Sequence, residues 1–588
     1  MPPKGIYDLF FANTAKSKHF LNNIKTYNNM FCFTSMGGRI DKSINTSGGP
    51  PVFHLNGQNF HLMGSLLPTE GKAPHFAQLY IYDTQNEIDN RVNAVRPDGE
   101  NNDIDTEIVK DIQTELDKHN VLVKSFRMAK DELQKNPRAK VKIKLLGKRN
   151  TLPRIYNLPQ VSEVAALIVG DLDTSIGERD ILVETNSGFL KRISELNRAY
   201  LPLQYPLLFP YGEDGYREDI HFTSLKGNGN AGRQRISPRE YFCFRIQTRV
   251  SEVSTFLNAK RLFQQFLVDS YTMVWSGRLI YIRTHQKHLR CETYNCLSDA
   301  LTRGEVDPNT QGRRIILSSS FTDGARWIGY PDLFITFTCN PKWPEIQRFL
   351  CDKRLRAEDR PDIVCRLFKM KLDSLISDCR KNQFFGAVAG GSDVEYYNAV
   401  EEFMIHGPCG RARQNSPCIS GNMCTKHFPK RFVDATTFDE DGYPIYRRRD
   451  NGRIVVKSGI PLDNRYVVPH NRELLLKYRA HINVEWCNQS RSIKYLFKYV
   501  NKGHDRVAAQ FYKTHQDDVG GKVVDEINMY YDCRYISPCE GAWRLIGFDI
   551  QLRSPSVERL SFHLPNQHID IFEDDDPVEN IVNRPTIA

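Results

Sequence analysis

Tyr495 and Tyr499 stand four residues apart in the stretch Arg491–Arg506. On a helix that spacing sets the two phenols one above the other. Ile493, Leu496, Phe497 and Val500 form a separate apolar stripe, and Arg491, Lys494 and Lys498 fill the arc beside the tyrosines. Lys502 and Arg506 extend the basic strip, and Gly503 marks the expected helix end. Stacked phenols beside cations read as a nucleophile pair facing a phosphate backbone. The same pattern also fits two amphipathic tyrosines at the rim of a core. A phenol titrates near pH 10, so attack on a phosphodiester needs a cation that polarises the phosphate. Histidines on a neighbouring strand would hold such a cation. The 16 histidines contain no His-x-His. His285 and His288 are the nearest approach, in a basic stretch with Arg283, Lys287 and Arg290.

A second constellation is Cys409, Cys418, Cys424 and His427, preceded by His406-Gly407-Pro408. Zinc takes thiolate and imidazole ligands held in turns, and Gly, Pro, Ser and Asn surround these cysteines. The spacings of nine, six and three residues are not those of a standard finger. A structural zinc and scattered buried thiols both fit. A third set interleaves Lys426, Lys430, Arg431, Arg447, Arg448, Arg449 and Arg453 with Phe428, Phe432, Tyr443 and Tyr446. It could track a single strand by charge and stacking. Nearby Asp434, Asp439, Glu440, Asp441 and Asp450 also make it readable as a solvated face.

The chain that must position these groups has 588 residues, 40% of them hydrophobic and 26% charged, with net charge +10. That describes an ordinary folded protein of several domains whose mild basicity permits a nucleic-acid partner. The longest apolar run, Val164–Val169, is too short to span a bilayer, and no secretory h-region opens the chain. No membrane partner is expected. The 14 cysteines are then expected as thiols or metal ligands in a reducing, intracellular setting. No Gly-x-x-x-x-Gly-Lys-[Ser/Thr] occurs, so no ATP site is expected.

Along the chain, His75–Asp83 reads as a strand leading into a helix, and residues 101–135 read as helical from the four-residue repeat of Ile104, Ile108, Ile112 and Leu116. Lys140, Lys142 and Lys144 alternate with Val141 and Ile143, as on a half-exposed strand. Strands are expected at Ala165–Val169 and Ile181–Val183. Leu201–Gly212, with three prolines, cannot be a long helix. Pro238–Leu301 carries an amphipathic helical pattern with Phe256, Leu262, Phe263, Phe266 and Leu267 as core. Pro331–Pro341 reads as a strand and Arg360–Lys381 as a helix; Tyr443–Val456 reads as a hairpin turning at Asp450-Asn451-Gly452.

Several phrases together resemble one family, the Helitron transposases, in their helicase-like, replication-initiator portion. They are Gly64–Pro68, Phe76–Tyr80, Arg261–Asp269, Pro331–Ile346, His406–Gly410, Ile482–Glu485, Lys494–Arg506 and Arg553–Pro565. The resemblance implies rolling-circle transposition, in which a tyrosine nicks one DNA strand and keeps its 5′ phosphate. It places Tyr495 and Tyr499 on the nucleophiles, single-stranded DNA as partner, Mg or Mn as cofactor and the nucleus as workplace. The sequence departs from the family in three ways: it lacks the His-hydrophobe-His metal strand expected between Phe385 and Asp393, a helical piece between Arg326 and Ile328, and the helicase with its phosphate loop, together with the leading cysteine cluster. No catalytic metal ligands are found. Impaired nicking is therefore expected, with an inactive DNA-binding remnant or an unstable product as alternatives.

The expected fold is α+β, a mostly antiparallel sheet with flanking helices of initiator type, plus a mixed α/β N-terminal region. The expected organisation is an N-terminal region at 1–200, a Pro/Gly-rich connection at 201–237 and a shortened initiator domain at 238–400. A Cys/His segment at 401–432, a hairpin and tyrosine helix at 433–510 and an extension at 511–588 follow.

Overall fold

The four-residue repeat of residues 104–116 produces a helix, Thr106–His119, and a second one, Val121–Lys135, follows almost without pause. Asn120 makes the break. Its side-chain oxygen accepts the N–H of Leu122 (2.9 Å) and of Val123 (3.1 Å), capping the second helix at the point where the first one ends. In the computed structural model the described residues are 1–36, 52–55, 58–95, 104–136, 139–146, 165–169, 181–184, 190–222, 235–250, 252–285, 314–315, 333–381, 393–486, 524–525 and 534–549, with short gaps at 411–412, 415, 417, 421–422 and 441–442. Residues Met1–Phe548 form one compact unit and Asp549–Ala588 a second.

The fold is α+β. Among the described residues, helices alternate with several small sheets, and every strand pair is antiparallel except Arg314–Ile315 with Val524–Asp525. The alternating lysines lie on Val141–Leu145, the middle strand of three, between Ala165–Val169 and Ile181–Glu184. Val141, Ile143 and Leu145 are buried and Lys142 and Lys144 half-buried, as the period of two requires, while Lys140 lies just outside the strand and is exposed.

The main core gathers the N-terminal helices, residues 199–216 and the helix Lys260–Thr284. The last is buried on nearly every side from Leu262 to Met273, polar Gln264, Gln265, Asp269, Ser270 and Thr272 included. Phe256, Leu262, Phe263, Phe266 and Leu267 are all in the core. The helix Pro538–Ile546 packs on it, and at the contact a Cβ on Gly541 would stand 3.2 Å from the Leu267 carbonyl oxygen. A polar knot sits inside this core. Asp269 accepts from Asn59 (2.9 Å) and the Tyr205 hydroxyl (3.0 Å), and lies 2.9 Å from Nε2 of His61, whose ring stacks on Tyr200. Buried polar groups satisfied this fully fix one packing arrangement.

Downstream, Leu333–Phe337 pairs antiparallel with Ile482–Trp486, from Phe337↔Ile482 to Leu333↔Trp486. The helix Pro361–Lys381 backs this pair: Phe337 stacks on Phe368 (5.3 Å) and meets Tyr478 edge-on (5.6 Å). Trp343, fully buried, donates its indole N–H to the Tyr478 carbonyl at 2.8 Å. Fully burying such a ring is worth roughly 1.5–3 kcal/mol or more.

Two local expectations fail. Phe76–Tyr80, expected as strand, is a 3-10 helix, because the His75 N–H and the Gln78 side chain close a capping box (3.0 Å) and Phe76 takes a positive φ of 53°. The helix expected after it is present at Glu87–Ala94. The hairpin expected over Tyr443–Val456 divides into two. Pro444–Ile445 pairs back with Thr437–Phe438, and Val455–Lys457 pairs forward with Ile460–Leu462. The second turn is Ser458-Gly459, both at positive φ (51° and 78°), which matches the twist of a two-residue hairpin better than Asp450–Gly452 does.

Candidate functional site

The segment 404–432 has little apolar material of its own, and its position is set by backbone pairing. Ile405 bridges Val467, the His406 N–H donates to the Tyr466 carbonyl (2.8 Å), and Lys430 N–H donates to the Arg465 carbonyl (3.0 Å). Gly407, at φ 111°, turns the chain toward Cys409; a Cβ there would crowd the Cys409 nitrogen at 3.3 Å. Cys418 and Cys424 flank the short hairpin Ile419–Ser420/Met423–Cys424. The Thr425 N–H donates to the Cys418 carbonyl at 2.7 Å.

These turns bring His406, Cys409, Cys418 and Cys424 together, with one ligand atom from each inside 4.8 Å of all the others. Nε2 of His406 is 3.4 Å from Sγ of Cys424. Around a tetrahedral zinc, with bonds of about 2.3 Å to sulfur and about 2.0–2.1 Å to nitrogen, that edge would be about 3.5 Å. Three thiols and an imidazole are the donor types zinc prefers, so the cluster fits a metal such as zinc. Four protein ligands would fill a tetrahedron and leave no open position, as at structural rather than catalytic sites.

The expected fourth ligand is corrected by this geometry. His427 is exposed at φ 57°, and its backbone N–H donates to the Cys424 carbonyl (2.8 Å) while its ring stays outside the cluster. His406 takes its place, stacked on Phe428 at 4.2 Å. Burial, with Lys426, His481 and Lys430 adding to it, lowers the His406 pKa, so the ring is neutral and able to ligate. Burial pushes the Cys409 thiol up to about 12, helped by Cys424 and Cys418, and raises Cys418 as well. Cys424 is buried too, but the amides of Phe428 and Lys426 and its two neighbouring thiols bring it below its ordinary value. A cation held by these four residues would supply the charge that makes all three thiolates favourable.

Beside this centre lies a cleft of ≈ 1170 Å³, bounded by the helix Asp393–Phe403 and the two hairpins. Arg447, Arg448, Arg449 and Arg453 line it with Tyr396, Tyr397, Tyr446 and His470. Arg448 is buried and works as a rivet. It exchanges backbone bonds with Val433 (2.8 and 2.9 Å), and its guanidinium donates to the carbonyls of Asn464 (3.0 Å) and Val467. Because neighbours on extended chain face opposite sides, Arg447 and Arg449 are exposed while Arg448 is not. The Tyr396 hydroxyl lies 2.9 Å from Nε2 of His470, and Nδ1 of His470 lies 2.8 Å from the Val468 carbonyl, a set that a neutral ring satisfies. Burial lowers the His470 pKa accordingly.

Of the basic–aromatic set expected from the sequence, Arg447, Arg448, Arg449, Arg453 and Tyr446 line the cleft. Lys426, Lys430, Arg431, Phe428, Phe432 and Tyr443 do not; Lys430 instead sits over Phe428 (5.4 Å). Sequence reasoning missed Tyr396, Tyr397 and His470, although two consecutive tyrosines on one helix were a usable signal. Tyr495, Tyr499, Arg491, Lys494, Lys498, Lys502 and Arg506 lie outside the described residues, as do 382–392, 316–332, Gly227–Gly232 and His288. His285 is the cap residue ending Lys260–Thr284.

Residues 241–402 match the family model described as the Helitron helicase-like domain at the N-terminus. The chain carries a Helitron helicase-like portion over that span, which supports a Helitron transposase-related role. No protein of curated function matches the chain. No helix among the described residues is long and apolar enough to cross a membrane.

Proposed function

We propose that the chain is a Helitron transposase-related protein that binds single-stranded DNA in the nucleus. Tyrosine-mediated nicking and strand transfer is its ancestral chemistry, and that chemistry is impaired here. The observation that carries this reading is the helicase-like match over 241–402. The matched strand Leu333–Phe337 pairs with Ile482–Trp486, shortly upstream of Arg491–Arg506. In that stretch Tyr495 and Tyr499 would be the nucleophiles, with Arg491, Lys494, Lys498, Lys502 and Arg506 against the phosphates. Mg or Mn would polarise the phosphodiester, yet no His-x-His is present to hold it. The fluorescence anisotropy of a labelled single strand tests binding, which should weaken steeply with salt. A denaturing gel after incubation with Mn²⁺ tests nicking. A covalent adduct that disappears in the Tyr495→Phe/Tyr499→Phe double variant would overturn the impairment.

The metal at His406, Cys409, Cys418 and Cys424 is zinc in this reading, because closed thiolate-rich tetrahedra favour it. About one equivalent per chain should be found by elemental analysis, and Cys424→Ser should lose it. A full equivalent retained in that variant would argue against the site.

A further inference from the structure

The cleft beside the metal centre has features that the structural role of its neighbours leaves unexplained. A buried arginine, Arg448, spends its guanidinium on two backbone carbonyls, and the result is to hold Arg447 and Arg449 exposed on one side of an irregular strand. Arg447 is fixed further by its N–H to the Thr436 hydroxyl (3.1 Å), and Arg449 by its carbonyl, which accepts from Asn464 (2.9 Å). Also lining the cleft, the guanidinium of Arg453 lies over the Tyr397 ring, 3.6 Å from its centre. Arg472 covers Tyr396 at 4.9 Å. Stacked planes of phenol and guanidinium offer π-faces with positive charge, the surface on which an unpaired base stacks without regard to sequence.

The acidic residues of the cleft do not cancel this charge. Asp463 is held by Arg465 through both oxygens (3.0 and 2.7 Å). Exposed Arg447, Arg449 and Arg453 then outnumber Asp434 and Glu401. The volume, ≈ 1170 Å³, exceeds the roughly 300–1,000 Å³ of ordinary small-molecule pockets, which favours a stretch of polymer over a single nucleotide. Bases paired in a duplex cannot reach stacking planes, whereas unpaired bases can.

We propose that this cleft seats a single DNA strand, its phosphates against Arg447 and Arg449 and its bases against the Tyr397–Arg453 and Tyr396 planes. The proposal rests on the single-strand reading above and says where on the molecule that strand lies.

The test uses the full chain and a fluorescein-labelled oligothymidylate. Arg447→Ala/Arg449→Ala/Arg453→Ala should weaken binding at least about tenfold and reduce the log–log salt slope by roughly 1.4, at about 0.7 for each of the two lost single-strand phosphate contacts. Removing the same charge elsewhere, by Lys110→Ala/Lys118→Ala/Lys135→Ala on the N-terminal helices, should change it less than about twofold. Tyr397→Ala should weaken binding without altering the slope. Ultraviolet crosslinking of an iododeoxyuridine strand to the unaltered chain needs no variant and should label peptides within 393–403 or 443–471. Arginine and tyrosine variants that bind as well as the parent, or crosslinks confined to other peptides, overturn the cleft while leaving the single-strand reading in place. No binding by the unaltered chain at low salt overturns both. Preference for a duplex, or for RNA, of the same sequence also overturns the proposal.

Discussion

Two regions of this protein are held together by different means. The main core draws side chains from residue 6 to residue 545 into one apolar cluster, and its polar groups, His61, Asn59, Tyr205 and Asp269, are buried among themselves. The region 393–486 has only small clusters, such as Ala399, Met404, Val468 and Leu475. It substitutes a Cys/His centre, backbone bridges and a buried arginine. Where apolar area is scarce, shape must come from ligands and directed bonds. Candidate chemistry collects there because these devices leave charged and aromatic groups facing outward.

The largest test of that contrast is metal removal. Cys424→Ser, or a strong chelator, should open 404–432 to proteolysis while the unfolding transition of the main core moves by less than about 0.5 kcal/mol. Structural zinc sites contribute on the order of 10 kcal/mol where they organise a fold. Protease mapping alongside calorimetry checks it, and a core that melts together with the Cys/His segment would abolish the distinction between the regions.

Asp269→Ala should do the reverse. It leaves His61, Asn59 and the Tyr205 hydroxyl without their shared acceptor, at a cost of about 3–5 kcal/mol in the denaturant midpoint of the core. Metal content should stay unchanged.

A smaller effect is expected at Arg448. Arg448→Met strips donors from the carbonyls of Asn464 and Val467 and should cost about 1–3 kcal/mol, read as faster hydrogen exchange across 433–468.

Acid should separate the regions further. Burial lowers the pKa of His470 and His481. The unfolded chain, near 6.5, therefore takes up protons first, and stability falls as pH drops below about 6.5 toward the folded values. Exchange across 465–486 should accelerate over that window, and His470→Gln should blunt the change. The least effect belongs to Lys369–Asp373, an exposed ion pair one turn apart on Pro361–Lys381 (2.6 Å). Lys369→Ala should cost no more than about 0.5 kcal/mol by thermal melting.

Regular elements were legible in the sequence because their signals are local. The alternation of Val141–Leu145, the apolar face of Pro361–Lys381 and the Pro-rich limit on Tyr200–Gln204 all stand in the structure as read. Turn-rich segments were not. A capping box converted Phe76–Tyr80 from strand to 3-10 helix, and Ser458-Gly459 took the turn away from Asp450–Gly452.

The site divides along the same line. By itself the sequence determined the donor chemistry, three cysteines with histidines close by, and an arginine-rich run between aromatics. Thiol and imidazole are properties of residue type, and they survive any folding. Which histidine completes the centre was settled only by tertiary structure. His406 and His427 each stand three residues from a cysteine of the set, and His406 is brought in by the pairing of 405–406 with 466–467. The same long-range bonds bury Arg448, leave its two neighbours exposed, and set Tyr396 and Tyr397 opposite them. A short spacing cannot encode that, because the contacts span chain separations on which sequence pattern carries no geometric information.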